Sequence, residues 1–137
     1  GLKKIYLSMI REAPENSRMY ILRDEFIWRS EWAFVFKKEW HERVSRLKRE
    51  KNMQTALLVN DTPLERTKTA FYNSRKGLEW HFLPKNQPVK NFALYILGDT
   101  AGILSLEQNN LVGLKIVNVT IAENLKTVLA TIWQKWA

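Results

Sequence analysis

The sequence contains no cysteine and only two histidines, His41 and His81, which lie far apart along the chain. The missing thiols exclude disulfides and thiolate metal sites, and they suit a reducing compartment. Two isolated imidazoles do not make the ligand set of a zinc or transition-metal centre, so we expect no metal site. No apolar run approaches the ~18 residues of a membrane span, and no signal-peptide pattern opens the chain. These absences predict a soluble cytoplasmic protein without membrane contact.

Catalytic motifs are also missing. The five glycines are scattered, and no nucleophile elbow, phosphate-binding loop, dinucleotide fingerprint or H-E-x-x-H helix is present. His41 falls on the polar side of a predicted helix, and His81 stands between Trp80 and Phe82 in a predicted strand. Each imidazole is better explained as a structural or solvated residue than as a catalytic base. We therefore expect neither enzymatic activity nor a cofactor.

Positive charge is what the sequence has in excess. The formal net charge is +8 over 137 residues, and most of the excess lies before residue 78. Such a bias attracts nucleic acid or another acidic partner, but it is also typical of the solvated face of a long helix, which we favour. The nucleic-acid interpretation remains as the alternative, and it would use the basic residues Lys37, Lys38, Arg43, Arg46, Lys48, Arg49 and Lys51.

Hydrophobic periodicity and capping signals predict ten elements in the order α-β-α-β-α-β-β-β-β-α. Helices are expected at residues 2–10, 31–50, 63–76 and from 120 onward, and strands at 18–22, 54–60, 78–83, 92–97, 102–106 and 111–117. The β-α-β-α-β part implies parallel strands joined by crossover helices, and the later hairpins add antiparallel strands. The sequence predicts one α/β domain, a mixed β-sheet flanked by helices.

Two of the helices carry distinct apolar stripes, which predict their buried faces. The stripe of the long helix comprises Ala33, Phe36, Trp40, Val44 and Leu47, and that of the last helix comprises Ile121, Leu125, Val128, Leu129, Ile132 and Trp136. Two capping boxes, beginning at Thr62 and Thr120, are expected to open the third and last helices.

Candidate ligand-binding residues follow the first strands. Open parallel sheets bind ligands beyond the carboxyl ends of their strands, and Arg23, Trp28, Arg29 and Asp61 come at such ends. An exposed Trp beside Arg can stack on a sugar or base and hold an anionic group. A loop Trp folded onto the core is an equally good explanation. Asp99 is a more distant candidate, better explained as a hairpin turn residue.

The second half resembles a known family. The run Phe92 to Leu106 reads as a strand, a Gly98-Asp99 turn and a second strand, and Val112 to Asn118 follows with a G-x-x-I-x-N pattern before the last helix. Together with the turn of residues 58–63, these motifs resemble the C-terminal domain of TrmB-type archaeal and bacterial transcriptional regulators. The resemblance extends over residues 18–137.

That family's domain is similar to one half of a phospholipase-D-type fold, whose enzymes carry H-x-K-x4-D. If Asp99 stands at the Asp of that motif, Phe92 occupies the His position and Leu94 the Lys position. Neither side chain can attack phosphorus or hold a phosphate. The resemblance therefore implies an inherited fold without its catalysis.

The resemblance also implies a role. In such regulators an N-terminal winged helix-turn-helix binds DNA, and this domain senses an effector, which is a sugar in some members. Residues 18–137 would be the regulatory, effector-binding domain, and residues 1–17 the remnant of a connecting helix to a DNA-binding part absent from this sequence. These regulators usually form homodimers. Leu2, Ile5, Tyr6 and Met9 would serve either such a contact or packing onto their own domain.

Overall fold

A computed structural model describes residues 2–29, 33 and 37–136. Its helices are α1 (Leu2–Glu12), α2 (Lys38–Glu50), α3 (Pro63–Arg66), α4 (Thr69–Asn73) and α5 (Val119–Trp136), with a 3₁₀ turn at Glu25–Trp28. Its strands are β1 (Arg18–Arg23), β2 (Gln54–Val59), β3 (Leu78–Phe82), β4 (Phe92–Leu97), β5 (Thr100–Glu107) and β6 (Asn110–Val117).

The strands form one six-stranded sheet in the order β3-β2-β1-β4-β5-β6. Strands β1, β2 and β3 are parallel to one another. On the other side of β1, strand β4 pairs with β1, β5 with β4 and β6 with β5, each in the antiparallel direction. The predicted α/β class, with a mixed sheet flanked by helices, is confirmed.

Strand alternation divides the core into two layers, because successive side chains of a strand point to opposite faces. Met19 and Ile21 of β1 belong to a cluster that includes apolar residues of α1, α2 and α4. Leu22 belongs to a second cluster, formed with α5. Tyr6 and Met9 of α1 are buried in the first cluster, so this helix packs on its own domain through these two residues.

The long predicted helix is wrong at its N-terminal end. Lys37 has an extended backbone (φ −73°, ψ 141°), and α2 begins only at Lys38. Trp40 and Val44 are buried on its inner face, as the stripe predicts. Phe36 lies outside the described residues.

The single helix predicted for residues 63–76 is also wrong, because two short helices take its place. Around residue 67 the backbone bonds shorten to i→i−3 spacing, from Thr67 to Leu64 and from Lys68 to Glu65. The Thr67 hydroxyl also donates to the Leu64 carbonyl. Side-chain bonds of this kind compete with the helical ladder, which explains the break.

The last helix begins at Val119, and the Asn118 side chain caps it by accepting a hydrogen bond from the Ile121 amide at 2.9 Å. The cap predicted at Thr120 is therefore misplaced. The buried face is rotated from the predicted stripe: Ala122 and Leu129 are buried, whereas Ile121 and Val128 are 41% and 55% exposed.

Candidate ligand-binding site

Polar side chains fasten together the loops beyond β1 and β2. The two parallel strands end in register at Arg23 and Val59, so the residues after them share one edge of the sheet. The side-chain nitrogen Nδ2 of Asn60 donates to Asp24 Oδ1 at 3.1 Å and to the Val89 carbonyl at 2.6 Å. The backbone N–H of Asn91 donates to Asp24 Oδ2 at 2.6 Å. These bonds fix the edge from which Arg23 projects.

Arg23 belongs to a buried polar network. By strand alternation its side chain points to the face covered by α1 and α2, and it is only 6% exposed. Its Nη2 donates to the Tyr72 hydroxyl at 3.3 Å, and that hydroxyl donates to Glu65 Oε1 at 2.7 Å. Trp28 Nε1 donates to the same oxygen at 2.9 Å. Glu65 is completely buried, so this carboxylate anchors the network.

Glu65 does not complete the capping box expected from the sequence. The Thr62 hydroxyl accepts a hydrogen bond from the Glu65 amide at 3.2 Å, which is half of that motif. The Glu65 side chain turns inward to Tyr72 and Trp28 instead of back to the Thr62 amide. The residue type that predicts a cap serves here as a buried acceptor.

A cavity of about 50 Å³ lies beside this network, on the α1 and α2 face of the sheet. Three cationic side chains from three parts of the chain line it: Arg23 from β1, Lys48 from α2 and Arg75 from the segment after α4. Tyrosines 6, 72 and 95 also line it, and among the described lining residues there is no aspartate or glutamate. The cavity therefore collects positive charge and hydroxyl groups without an acidic lining residue to balance them.

Burial sets the protonation of these groups. It lowers the pKa of Lys48 from 10.5 to about 7, and the Arg75 and Arg23 guanidinium groups add to the effect. Burial also lowers the pKa of Arg75 to about 10 and raises the pKa of Tyr72 to about 12. At pH 7 the two arginines are charged, the tyrosine is neutral and Lys48 lies at its midpoint. Lys48 Nζ meanwhile donates to Thr55 Oγ1 at 3.0 Å.

The other predicted ligand residues do not line this cavity. The Trp28 ring is covered by Lys68, whose Nζ lies 4.4 Å from the ring centroid. The Arg29 side chain is 70% exposed and lies 3.9 Å from Glu25. Asp61 accepts two hydrogen bonds from Arg66, at 2.7 and 2.9 Å, which lower the pKa of its carboxyl group. Asp99 occupies the β4–β5 turn, at the opposite end of the sheet from Arg23.

The cations of α2 do not form one basic face. Lys48 points inward to the cavity, and Lys51 Nζ donates to the carbonyls of Arg11 and Ala13, joining α2 to the end of α1. The exposed cations are Lys37, Lys38, Arg43, Arg46 and Arg49. Helical spacing puts the exposed glutamates 39, 42 and 50 among them on the same side, and Lys38 lies 3.9 Å from Glu42. The exposed face of α2 therefore carries acidic as well as basic side chains and is not uniformly positive.

Tyr72 and Arg75 were missed as site residues from the sequence, and Lys48 was assigned to the wrong surface. A faint signal existed for Lys48, which follows the buried Val44 by one helical turn and so lies at the border of the apolar stripe. Tyr72 and Arg75 gave none, because the break between α3 and α4 decides which way they point.

The described helices include none long and apolar enough to cross a membrane. Residues 2–29, 33 and 37–136 also contain no group of three or more acidic or histidine side chains that could hold a metal ion. Leu94 is 6% exposed and belongs to the core cluster that includes residues of α5. Phe92 packs against the same cluster.

Comparison with known proteins yields a structural relationship. No protein-family model matches the chain, and no curated protein matches its sequence. The fold is similar to that of TrmBL2, an archaeal chromatin protein whose structure shows a novel mode of DNA binding, with a TM-score of 0.60 and 15% sequence identity. The match covers 98% of this chain and 49% of TrmBL2, so the chain spans about half the length of that protein. At this identity the similarity establishes the fold.

Proposed function

We propose that this chain is a ligand-sensing regulatory domain of a cytoplasmic, TrmB-type helix-turn-helix regulator. In this proposal a separate N-terminal segment binds DNA, and the present domain senses a small molecule and does not catalyse a reaction. The observation that carries the proposal is the cavity formed by Arg23, Lys48 and Arg75. Three cationic side chains and no acidic residue on its described lining favour an anionic ligand, because opposite charges attract.

The fold comparison supports the proposal. A fold that spans about half of a DNA-binding chromatin protein is compatible with a division into two parts, one contacting DNA and one regulating it. If Asp99 stands at the Asp of the phospholipase-D motif, Phe92 and Leu94 occupy its His and Lys positions. Their packing in the core favours regulation over phosphodiester hydrolysis.

A thermal-shift panel tests the sensing function. Purified chain would be heated with neutral sugars, including maltose, and separately with sugar phosphates, nucleotides and dicarboxylates. We expect at least one class to raise the melting temperature saturably, because a ligand that binds only the folded state stabilises it. A flat response to every class would contradict the proposal.

Direct DNA binding is the second candidate, and one further observation favours it. A groove between α1 and α2 is lined by Lys3, Lys4, Arg11 and Arg43, with Glu12 its only acidic lining residue in the described chain. This surface differs from the outer stripe of α2 and concentrates more net positive charge.

Fluorescence anisotropy with labelled duplex and single-stranded DNA, repeated across salt concentrations, separates the two candidates. Phosphate contacts release counterions, so true DNA binding weakens steeply with salt. The sensing proposal expects no binding near physiological salt. Tight, salt-steep binding that Arg43→Glu abolishes and the exposed-loop control Lys85→Glu preserves would favour the DNA-binding candidate.

A further inference from the structure

The size of the cavity limits what it can hold. A cavity needs a volume of about 10–15 Å³ to hold one buried water molecule. The present cavity, with a volume of about 50 Å³, therefore accommodates a few oxygen-sized groups. A phosphoryl or sulfate group has this size and a hexose ring does not. A ligand larger than the cavity would insert only its head group.

The chemistry of the lining matches such a head group. Arginine holds tetrahedral oxyanions through its planar fork of donors, and lysine holds them as a point charge. Arg75 and Lys48 line the cavity and are only half-buried as residues, which is compatible with entry of an anion from solvent. Tyr72 and Tyr95 line the same cavity. Burial raises the pKa of Tyr72, so its hydroxyl remains neutral and available for hydrogen bonding.

We propose that this cavity binds a tetrahedral dianion, held by Lys48 and Arg75 with Arg23 at its base, and that binding is coupled to proton uptake by Lys48. This inference rests on the proposed ligand-sensing function and names the chemical class of its ligand. The dianion is either free inorganic phosphate or the phosphoryl group of a small phosphorylated molecule.

Proton uptake follows from the surroundings of Lys48. The charged and titratable groups around it are Arg23 on β1, Arg75 after α4, Tyr6 on α1, Tyr72 on α4, Tyr95 on β4 and His41 on α2 itself. Glu65 on α3 is linked to this set through its hydrogen bond from Tyr72. The cationic members of this set oppose protonation of Lys48. A dianion in the cavity offsets them, so the lysine takes up a proton as the anion enters.

Isothermal titration calorimetry tests the inference with three probes: inorganic phosphate, glucose 6-phosphate and glucose. We expect at least one phosphorylated probe to bind and glucose not to bind. Tighter binding of phosphate identifies the free anion as the ligand class, and tighter binding of the ester identifies a phosphorylated small molecule. Binding by neither phosphorylated probe overturns the inference.

Sulfate serves for the pH series, because it remains a dianion throughout. Its affinity should rise up to roughly tenfold between pH 8 and pH 6, as Lys48 becomes protonated. Titrations in buffers of different ionisation enthalpy should report a fractional proton taken up near pH 7. These measurements use the unmodified chain and do not depend on any variant folding. An affinity independent of pH with no proton uptake overturns the coupling.

Variants locate the site. Arg75→Met should weaken phosphate or ester binding by about tenfold or more, because one charge-assisted contact is lost. Arg46→Met, which removes an exposed charge from α2, is the matched control and should change affinity less than about twofold. Equal effects of the two variants would overturn the site assignment. If maltose or another neutral sugar stabilises the chain and the phosphorylated probes do not, the inference fails and the sensing function stands; if nothing binds, both fail.

Discussion

Lys48 is the residue whose environment departs furthest from that of a surface lysine. Its half-buried side chain lies beside Arg75 and Arg23, and its one hydrogen-bond partner among the described side chains is Thr55. A helix position that looks solvated in the sequence thus becomes a base whose pKa burial lowers. The cause is tertiary: residues 23 and 75 are distant in sequence and meet Lys48 only in the folded sheet.

Lys48→Met is expected to stabilise the folded chain below pH 7. The pKa of Lys48 is about 7 in the folded state and 10.5 in the reference state, so the unfolded chain binds more protons between these values and stability rises with pH across that window. The penalty for charged Lys48 is complete below pH 7 and vanishes above about 10.5. Removing it should gain on the order of 2 kcal/mol at pH 6, reduced by the lost Thr55 hydrogen bond.

Denaturant unfolding at pH 6 and pH 9.5 measures this effect. The gain for Lys48→Met should shrink at the higher pH. Lys38→Met, at the exposed start of α2, is the control and should show no such dependence. A gain that stays constant with pH would contradict the assigned environment of Lys48.

Tyr72 links two buried charged side chains. Its hydroxyl accepts from Arg23 and donates to the buried Glu65, so Tyr72→Phe removes a bridge between two buried charges. We expect a loss of about 1–3 kcal/mol in unfolding free energy, because buried polar groups lose a partner. Tyr20→Phe on the opposite face of the sheet should cost less than about 0.5 kcal/mol. Similar losses for the two variants would show that the network contributes little.

At the scale of elements, the sequence predicts strands better than helices. The short apolar runs of β1, β2 and β4 identify strands, and β2 is buried along almost its whole length, as predicted for a strand covered on both faces. The predicted helix boundaries are wrong where a side chain competes with the backbone for hydrogen bonds, as at Thr67. They are also wrong where a residue with an extended backbone, such as Lys37, interrupts a periodic apolar stripe. The apolar periodicity of the helices says nothing about such local interruptions.

The edge strand β6 and helix α5 leave apolar side chains uncovered. α5 packs over β3, β4 and β5, and on the same side of the sheet Val112 and Leu114 of β6 are 52% and 57% exposed. Lys115 is the only charged residue of β6. Among residues 2–29, 33 and 37–136 no strand pairs with the outer side of β6. A weakly charged edge of this kind invites pairing with another strand, and two copies of one edge close about a twofold axis. A homodimer formed through β6 is therefore the oligomer we expect.

Leu114→Lys tests that expectation, since a charge on the uncovered face opposes its burial. Light scattering coupled to size-exclusion chromatography should give a dimer for the unmodified chain and a monomer for the variant. Gln87→Lys adds the same charge to an exposed loop and should leave the dimer intact. A monomeric unmodified chain, or a dimer that survives Leu114→Lys, would contradict an interface at β6.

For the molecule as a whole, position in the fold matters more than net charge. The +8 balance suggests a nucleic-acid partner, yet the structure divides these cations among a cavity, a link between helices, ion pairs and a groove. The sequence predicts the sheet and its mixed topology, and its strand ends indicate Arg23 as a candidate ligand-binding residue. It does not predict the site, because Lys48 and Arg75 are brought to Arg23 by packing that no local pattern encodes.

The pKa of Lys48 is the first quantity to measure, because burial beside Arg75 and Arg23 in the cavity lowers it. Lysine-selective ¹³C NMR would follow the Lys48 Cε resonance from pH 5 to pH 11, with Lys48→Met providing the assignment, first without an added anion and then with sulfate. We predict a pKa of about 7 without the anion and a higher value with sulfate. A pKa near the ordinary lysine value of about 10.4, unchanged by sulfate, would contradict an anion-binding cavity around Lys48.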